Sequence, residues 1–290
     1  MTTQPRAEAV SFTISSIQSV PLEGKLFRSG VNRKGKTIVY LHGGGLLYGD
    51  KNDLPEPYLN LFLSAGYDFL TMDYPLAPET KLPDILANIQ YGLQWFQSHA
   101  VSDLSLDSAD YLLFGRSAGA YLAFLTASRI TFKPAAIISF YGYHTLHEAS
   151  FRTPSRHYLA YQRLAKAEAE RLLSPVPIVN GEKELRFALY VYARQSGTWL
   201  SYLLDDIKEA NNYSLNDAQL ATLPPTYLAS ANDDPDVPYH LSERLSQKIP
   251  SAKLNTIGSE EHDFDRDLSN PLGIEAYHDV IVWLDEILPD

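Results

Sequence analysis

The sequence predicts an α/β domain: a mostly parallel central sheet with helices on both faces and a helical cap insertion. Three observations predict it. Short, continuously apolar runs recur along the 290 residues, the pattern of strands buried on both faces. Helical patterns separate these runs, as the crossovers of a parallel sheet require. One long stretch, residues 144–222, breaks the alternation and reads as mainly helical, an inserted cap with an ordinary long crossover as the alternative.

The elements follow in order. Residues 11–20 alternate as a strand, and a turn at Pro21 to Gly24 leads to a hairpin partner in KLFRSG, giving an antiparallel edge. KTIVYLHGG (36–44) and YDFLTMDY (67–74) are buried strands. Residues 83–100 form a helix with Pro83 at its start and apolar positions at 86, 89, 93 and 96. DYLLFG (110–115) is a strand that runs into a helix over 118–129. Residues 135–143, 225–231 and 252–258 are further strands, and 273–288 is a closing helix. Inside the insertion, 157–173 and 183–206 both read as mainly helical. The domain boundaries are therefore 1–143 and 223–290 for the core, with 144–222 as the cap over the carboxyl ends of the strands.

Composition excludes several functions. The formal net charge is −11, which opposes a nucleic-acid partner and an anionic membrane surface. With no cysteine in the chain, disulfides, thiolate chemistry and Cys-based zinc sites are out. MTTQPRAEAV has no apolar core of a secretory leader, and no run nears the ~18 apolar residues of a membrane span. A cytoplasmic enzyme without stable membrane insertion is the expectation.

The strand–helix junction at 110–129 carries the strongest signal. Gly115-Arg116-Ser117-Ala118-Gly119 leaves five residues to reverse the chain, with one hydroxyl at the centre. A strand, G-x-S-x-G and a helix form a nucleophile elbow, in which the glycines give the serine room for a strained backbone. The motif alone also describes an idle serine in a Gly-flanked turn; the apolar strand before it and the Ala/Leu helix after it argue for the elbow. A serine needs a base. Of eight histidines, His262 follows the last strand in a loop before the final helix, the place of the base in a Ser–Asp–His chain order. His278 reads as structural. ASANDDPDVP (229–238) offers Asp233, Asp234 and Asp236 as the acid: Asp234 fits best, with Asp233 as close rival. This acidic loop matches no EF-hand spacing, so no metal and no cofactor are expected.

LHGGGLLYGD (41–50) is the second signal. Three glycines after a strand bring main-chain N–H groups close to a ligand. Gly44 and Gly45, with Ala118 from the elbow, are the expected donors to an oxyanion, each such donor being worth roughly 100- to 1,000-fold in rate. His42 reads as a loop anchor. Leu46, Leu47 and Tyr48 are the candidate substrate-pocket residues. The loop lacks the G-x-G-x-x-G spacing of dinucleotide binders.

H-G-G-G, then DYPLAPE (73–79), then G-R-S-A-G, a late Asp and a late His resemble the hormone-sensitive-lipase-like branch of the α/β-hydrolases, over about residues 36–285. The resemblance implies Ser117 as nucleophile, His262 and Asp234 as its partners, Gly44, Gly45 and Ala118 as oxyanion donors, and Asp73 and Glu79 as braces of the site's floor. Pro75, Arg116 and Ala120 depart from the branch, which usually has Arg, Asp or His, and Gly there. The expected reaction is hydrolysis of short-chain or small acyl esters through an acyl-enzyme, with a small-molecule ester or acyl substrate as partner. A homodimer is compatible with the resemblance. The SAGAYLA and HGGG…YGD forms also resemble kynurenine-formamidase-type amidases, which share the triad. A non-catalytic binding protein on the same fold is the reading from another class. The insertion and its flanks are rich in aromatics, including Tyr143, Tyr158, Tyr190 and Trp199; packing accounts for most of them, and some are candidates to face substrate.

Overall fold

A computed structural model describes residues 9–288. Residues 1–8, where most of the leader argument falls, lie outside the described residues. The chain begins with the strands β1 (Ala9–Ile17) and β2 (Val20–Phe27). Then follow β3 (Thr37–Leu41), α1 (Glu56–Ser64), β4 (Asp68–Met72), α2 (Leu82–His99), β5 (Tyr111–Arg116), α3 (Ala118–Arg129) and β6 (Ile137–Phe140). The next segment holds α4 (Arg156–Leu159), α5 (Lys166–Glu170), α6 (Lys183–Ser196), α7 (Trp199–Leu203) and α8 (Asp217–Leu220), with 3-10 turns at Ala149–Phe151 and Ile207–Tyr213. The chain closes with β7 (Thr226–Ala231), α9 (His240–Lys248), β8 (Ala252–Ile257) and α10 (Pro271–Ile287).

The strands form one eight-stranded sheet in the order β1-β2-β4-β3-β5-β6-β7-β8. The first two strands join antiparallel, and β3 to β8 pair parallel. Strands β3, β4, β5, β6 and β7 are buried along their whole length, as expected of a sheet covered on both faces. Alternate side chains divide between two cores. Val39 and Leu41 pack with α2 and α3, while Ile38 and Tyr40 pack with α1 and α10. Strand β3 lies between β4 and β5, so the chain order reverses there, the position where open α/β sheets bind ligands. Leu41 pairs with Gly115, which sets the ends of these two strands side by side.

The structure corrects or refines four local expectations. The first hairpin turns at Gln18 and Ser19, with φ of 47° and 70°, rather than at Pro21 to Gly24. A two-residue turn with both φ positive matches the twist of the paired strands; Pro21 sits within β2, opposite Ser16. Helices α1 and α9 stand where no helix is expected from the sequence. The segment 157–173, expected to be mainly helical, holds its helix in two short pieces, α4 and α5. Gln195 explains the break. Its amide donates to the carbonyls of Tyr158 and Gln162 at 2.9 and 3.0 Å and accepts from the N–H of Leu164 at 3.2 Å. Those groups would otherwise sit in the helix ladder. Finally, 183–206 splits at Gly197, whose φ of 69° ends α6.

Candidate active site

Ser117 stands between β5 and α3 with φ 51° and ψ −117°, a strained conformation for a residue with a side chain. The flanking glycines are sterically required. A Cβ on Gly119 would lie 2.0 Å from the Leu41 carbonyl oxygen, and one on Gly115 would lie 2.3 Å from the Ala120 nitrogen. The elbow is therefore clamped between β3 and its own helix, and its N–H is fixed to the Phe140 carbonyl at 2.9 Å.

The structure brings the three expected side chains together. His262 Nε2 lies 2.9 Å from Ser117 Oγ, and His262 Nδ1 lies 2.7 Å from Asp234 Oδ2. Asp234 also accepts the N–H groups of Asp236 and Val237 on Oδ1, at 2.8 and 2.9 Å, so its second oxygen is aimed at the imidazole. The rival Asp233 is exposed, and its N–H points to the Ser259 carbonyl. Burial disfavours charge on His262, but the Asp234 carboxylate outweighs it, with Asp236 and Asp263 adding to the effect, and raises its pKa to about 9.

The glycine loop abuts the elbow: a Cβ on Gly43 would lie 3.5 Å from Ser117 Cβ. Gly44 and Gly45 have φ of 98° and 59°. Their N–H groups meet no hydrogen-bond acceptor among the described residues, and Ala118, first in α3, has no intrahelical acceptor for its own. His42 is fully buried, stacks on Tyr74 with ring centroids 4.2 Å apart, and lies 2.8 Å through Nδ1 from the Gly43 carbonyl. Burial holds its pKa below the usual histidine value. Tyr74 donates to the His42 carbonyl at 2.8 Å.

Of the expected pocket residues, Leu46 and Leu47 are fully buried members of the core, and Tyr48 alone keeps exposed surface. The two leucines therefore pack beneath the loop rather than line an open space. Tyr48 meets the rings of Phe187 and Tyr190 edge-on. Two surface cavities, of about 590 and 200 Å³, contain none of the serine-site residues. Asp73 binds Lys51 at 2.8 Å, and Glu79 is gripped bidentately by Arg186, both contacts at 2.9 Å.

Around the site, Arg186 and Arg194 were not singled out from the sequence, and Tyr141, Tyr190 and Trp199 stood only among the aromatics of the insertion and its flanks. Arg186, Tyr190 and Arg194 recur every fourth residue along α6, which puts them on one face; that spacing was the available signal. Arg186 donates to the Leu47 carbonyl at 2.8 Å. Tyr190 lies on the glycine loop, so that a Cβ on Gly45 would fall 2.2 Å from its ring. Trp199 donates to the Gly45 carbonyl at 2.9 Å. Arg194 pairs with Asp236 at 3.0 Å, both of them buried. On the other side of the elbow, Tyr141 sets its ring against His262, centroids 4.7 Å apart.

No group of His, Asp and Glu side chains among the described residues could hold a metal ion, and no described helix is long and apolar enough to cross a membrane. Comparison with known proteins agrees with the fold. The chain is 29% identical over 122 residues to an acetyl esterase of Salmonella typhi, covering 40% of this chain and 38% of that protein. It is 31% identical over 134 residues to esterase LipU of Mycobacterium tuberculosis, covering 45% of this chain and 42% of that one. The chain thus matches about two fifths of the length of these two relatives. A solved structure of a protein of unknown function from Staphylococcus aureus Mu50 superposes with a TM-score of 0.87 at 31% identity, over 96% of this chain and 99% of that one. The family model described as alpha/beta hydrolase fold matches residues 38–266, from the strand before the glycine loop to just past His262. By that match and that likeness, the chain belongs to the α/β-hydrolase fold family.

Proposed function

We propose that the chain is a serine hydrolase that cleaves carboxylic esters with small acyl groups. The observation that carries this is the chain of contacts Ser117 Oγ–His262–Asp234, at 2.9 and 2.7 Å, beside unpartnered main-chain N–H groups. Ser117 Oγ attacks the ester carbonyl carbon while His262 Nε2 takes its proton. Asp234 holds the imidazole in the required tautomer and steadies the imidazolium; it does not take the proton itself. The carbonyl oxygen becomes an oxyanion facing the N–H groups of Gly44, Gly45 and Ala118. His262 then returns the proton to the leaving alcohol, and an acyl-Ser117 remains. Water repeats the sequence and frees the acid. Tyr190 and Trp199, pressed onto Gly45, leave little room beside the oxyanion loop, which favours short acyl chains.

Labelling with a fluorophosphonate, read by intact mass and peptide mapping beside a p-nitrophenyl ester panel, tests this. The expected result is one adduct on Ser117 with turnover of short esters, both lost in a folded Ser117→Ala variant. Turnover in that variant above ~0.1% of wild type would point to another nucleophile, since loss of a triad member costs far more. Labelling with turnover of an isosteric amide and not of the ester would move the reading to an amidase. A folded protein that takes no label would favour a binding protein.

A further inference from the structure

We propose that Arg194 and Asp236 are positioning residues through which helix α6 sets the triad acid: Arg194 holds the Asp236 side chain, and the Asp236 main-chain N–H holds Asp234. This rests on the reading of Ser117, His262 and Asp234 as the reacting groups.

The Asp236 carboxylate is held by two hydrogen bonds on Oδ2 and by an ion pair at Oδ1, which accepts no hydrogen bond among the described residues, while Arg194 Nη2 also donates to the Asp236 main-chain carbonyl at 3.3 Å. Tyr158 and Tyr190 both donate to Oδ2, at 2.9 and 2.8 Å, and Arg194 Nη2 lies 3.0 Å from Oδ1. Arg194 is 2% exposed and Asp236 is 4% exposed. The guanidinium is boxed by the rings of Phe151, Tyr158, Tyr190 and Trp199, centroids 5.3 to 6.0 Å away. It cannot swing out. With the side chain pinned, the peptide of Asp236 is pinned too, and that peptide donates to Asp234 Oδ1 at 2.8 Å. Oδ2 of Asp234 is left with one direction, towards His262 Nδ1 at 2.7 Å.

Stability is a weak reason to bury such a pair, because well-packed apolar residues often do as well. Its position supplies a better one. The face of α6 that ends in Arg194 starts with Arg186 on the Leu47 carbonyl and passes Tyr190 on Gly45. One rigid helix therefore touches both the loop expected to hold the oxyanion and the turn that carries the acid, two halves far apart in sequence. Rigid supports of this kind keep a reacting constellation aligned, and a displacement of 1 Å costs up to about 100-fold in rate.

The test uses the full chain with Arg194→Met, Asp236→Asn, the double variant, and Tyr158→Phe, which removes one hydroxyl from Asp236 while keeping the ring. Four quantities are read: kcat and KM on p-nitrophenyl acetate, the pH dependence of fluorophosphonate labelling, the downfield NMR resonance of the His262 Nδ1 proton, and the melting temperature. Arg194→Met is expected to lower kcat by up to about 100-fold with KM little changed, and to shift the downfield resonance. The double variant recovers part of the loss, since no lone buried charge remains. Tyr158→Phe shifts the resonance in the same sense by less and guards against a variant that fails to fold. Asp236→Asn moves the labelling limb to lower pH, because His262 then faces the carboxylates of Asp234 and Asp263 without the third, Asp236, which Arg194, Tyr158 and Tyr190 surround. Variants that melt earlier yet keep the wild-type kcat per labelled site, limb and resonance would make the pair a structural tie only and overturn the proposal. Should wild type neither label nor turn over, the hydrolase reading fails instead. The resonance still decides the positioning claim, because it reports on Asp234 and His262 at rest.

Discussion

Arg116 Nη2 donates to Asp265 Oδ1 at 2.9 Å, joining the residue before Ser117 to the third residue after His262. Tyr141 closes the triangle: its hydroxyl accepts from Arg116 Nε and donates to Asp265 Oδ1, both at 2.7 Å. Tyr277 donates to Asp265 Oδ2 at 2.9 Å. The Asp265 side chain is wholly buried, and that of Arg116 is 9% exposed. This arrangement gives a physical account of Arg116, one of the three positions where the chain departs from the branch it resembles. The elbow strand and the histidine loop are locked together beneath the site.

Breaking this pair from one side leaves a buried charge without its partner. Asp265→Ala is therefore expected to destabilise the fold by about 3–5 kcal/mol. Asp53, 3.6 Å from Arg116 Nη1, moderates the loss. Urea unfolding followed by circular dichroism measures it. A change below ~1 kcal/mol would mean that the pair is solvated in solution.

Asp234→Asn keeps a carbonyl oxygen for the N–H groups of Asp236 and Val237, so the turn survives. The amide then presents N–H groups to His262 Nδ1, and the imidazole must turn its proton towards Ser117. Loss of kcat approaching ~10,000-fold is expected, the size of a tautomer error in a serine triad. Asp233→Asn, at an exposed neighbour, leaves the rate unchanged. Steady-state kinetics on one short ester compares them, and equal losses at both positions would sink the assignment.

His262 provides the pH prediction. Its pKa, raised to about 9 chiefly by Asp234 against the opposing effect of burial, leaves the base-competent neutral form in the minority at neutral pH. kcat/KM should rise with pH and level off only on the alkaline side. Stability should run the other way. A group whose pKa is higher folded than unfolded stabilises fully below the unfolded value of about 6.5 and loses that contribution as pH climbs through the folded value. Melting temperatures should thus fall between about pH 7 and 9 while the rate rises, and replacing His262 by Gln should remove that component of the fall. A rate limb centred at the ordinary histidine pKa would contradict both expectations.

What the sequence disclosed follows from range. G-R-S-A-G was legible because its glycines answer local sterics: Gly119 faces the Leu41 carbonyl at a distance no side chain tolerates. The buried strands were legible from their apolar runs. The first turn was not, because Gln18 and Ser19 carry no glycine signal although both adopt positive φ. The break between α4 and α5 was hidden because the side chain that captures its main chain, Gln195, lies more than thirty residues on. Asp236 stood only as a further carboxylate candidate for the acid, and its contacts were hidden for the same reason. Its neighbours Tyr158, Tyr190 and Arg194 come from a segment whose packing local pattern cannot report.

Acyl length gives the last prediction, and Tyr190 is where it is tested. The ring lies so close to Gly45 that a Cβ there would fall 2.2 Å from Cε2. Its hydroxyl is separately engaged with Asp236 at 2.8 Å. Two substitutions separate the roles. Tyr190→Phe keeps the ring and should keep the acyl profile while disturbing Asp236. Tyr190→Ala opens space beside the oxyanion loop and should favour longer chains. Each methylene newly buried is worth up to ~0.8 kcal/mol, so the butyryl-to-acetyl ratio of kcat/KM should rise by up to ~15-fold. Because this is a ratio within one variant, any general loss of rate cancels from it. A flat ratio in Tyr190→Ala would place the acyl group on another wall of the site, away from α6.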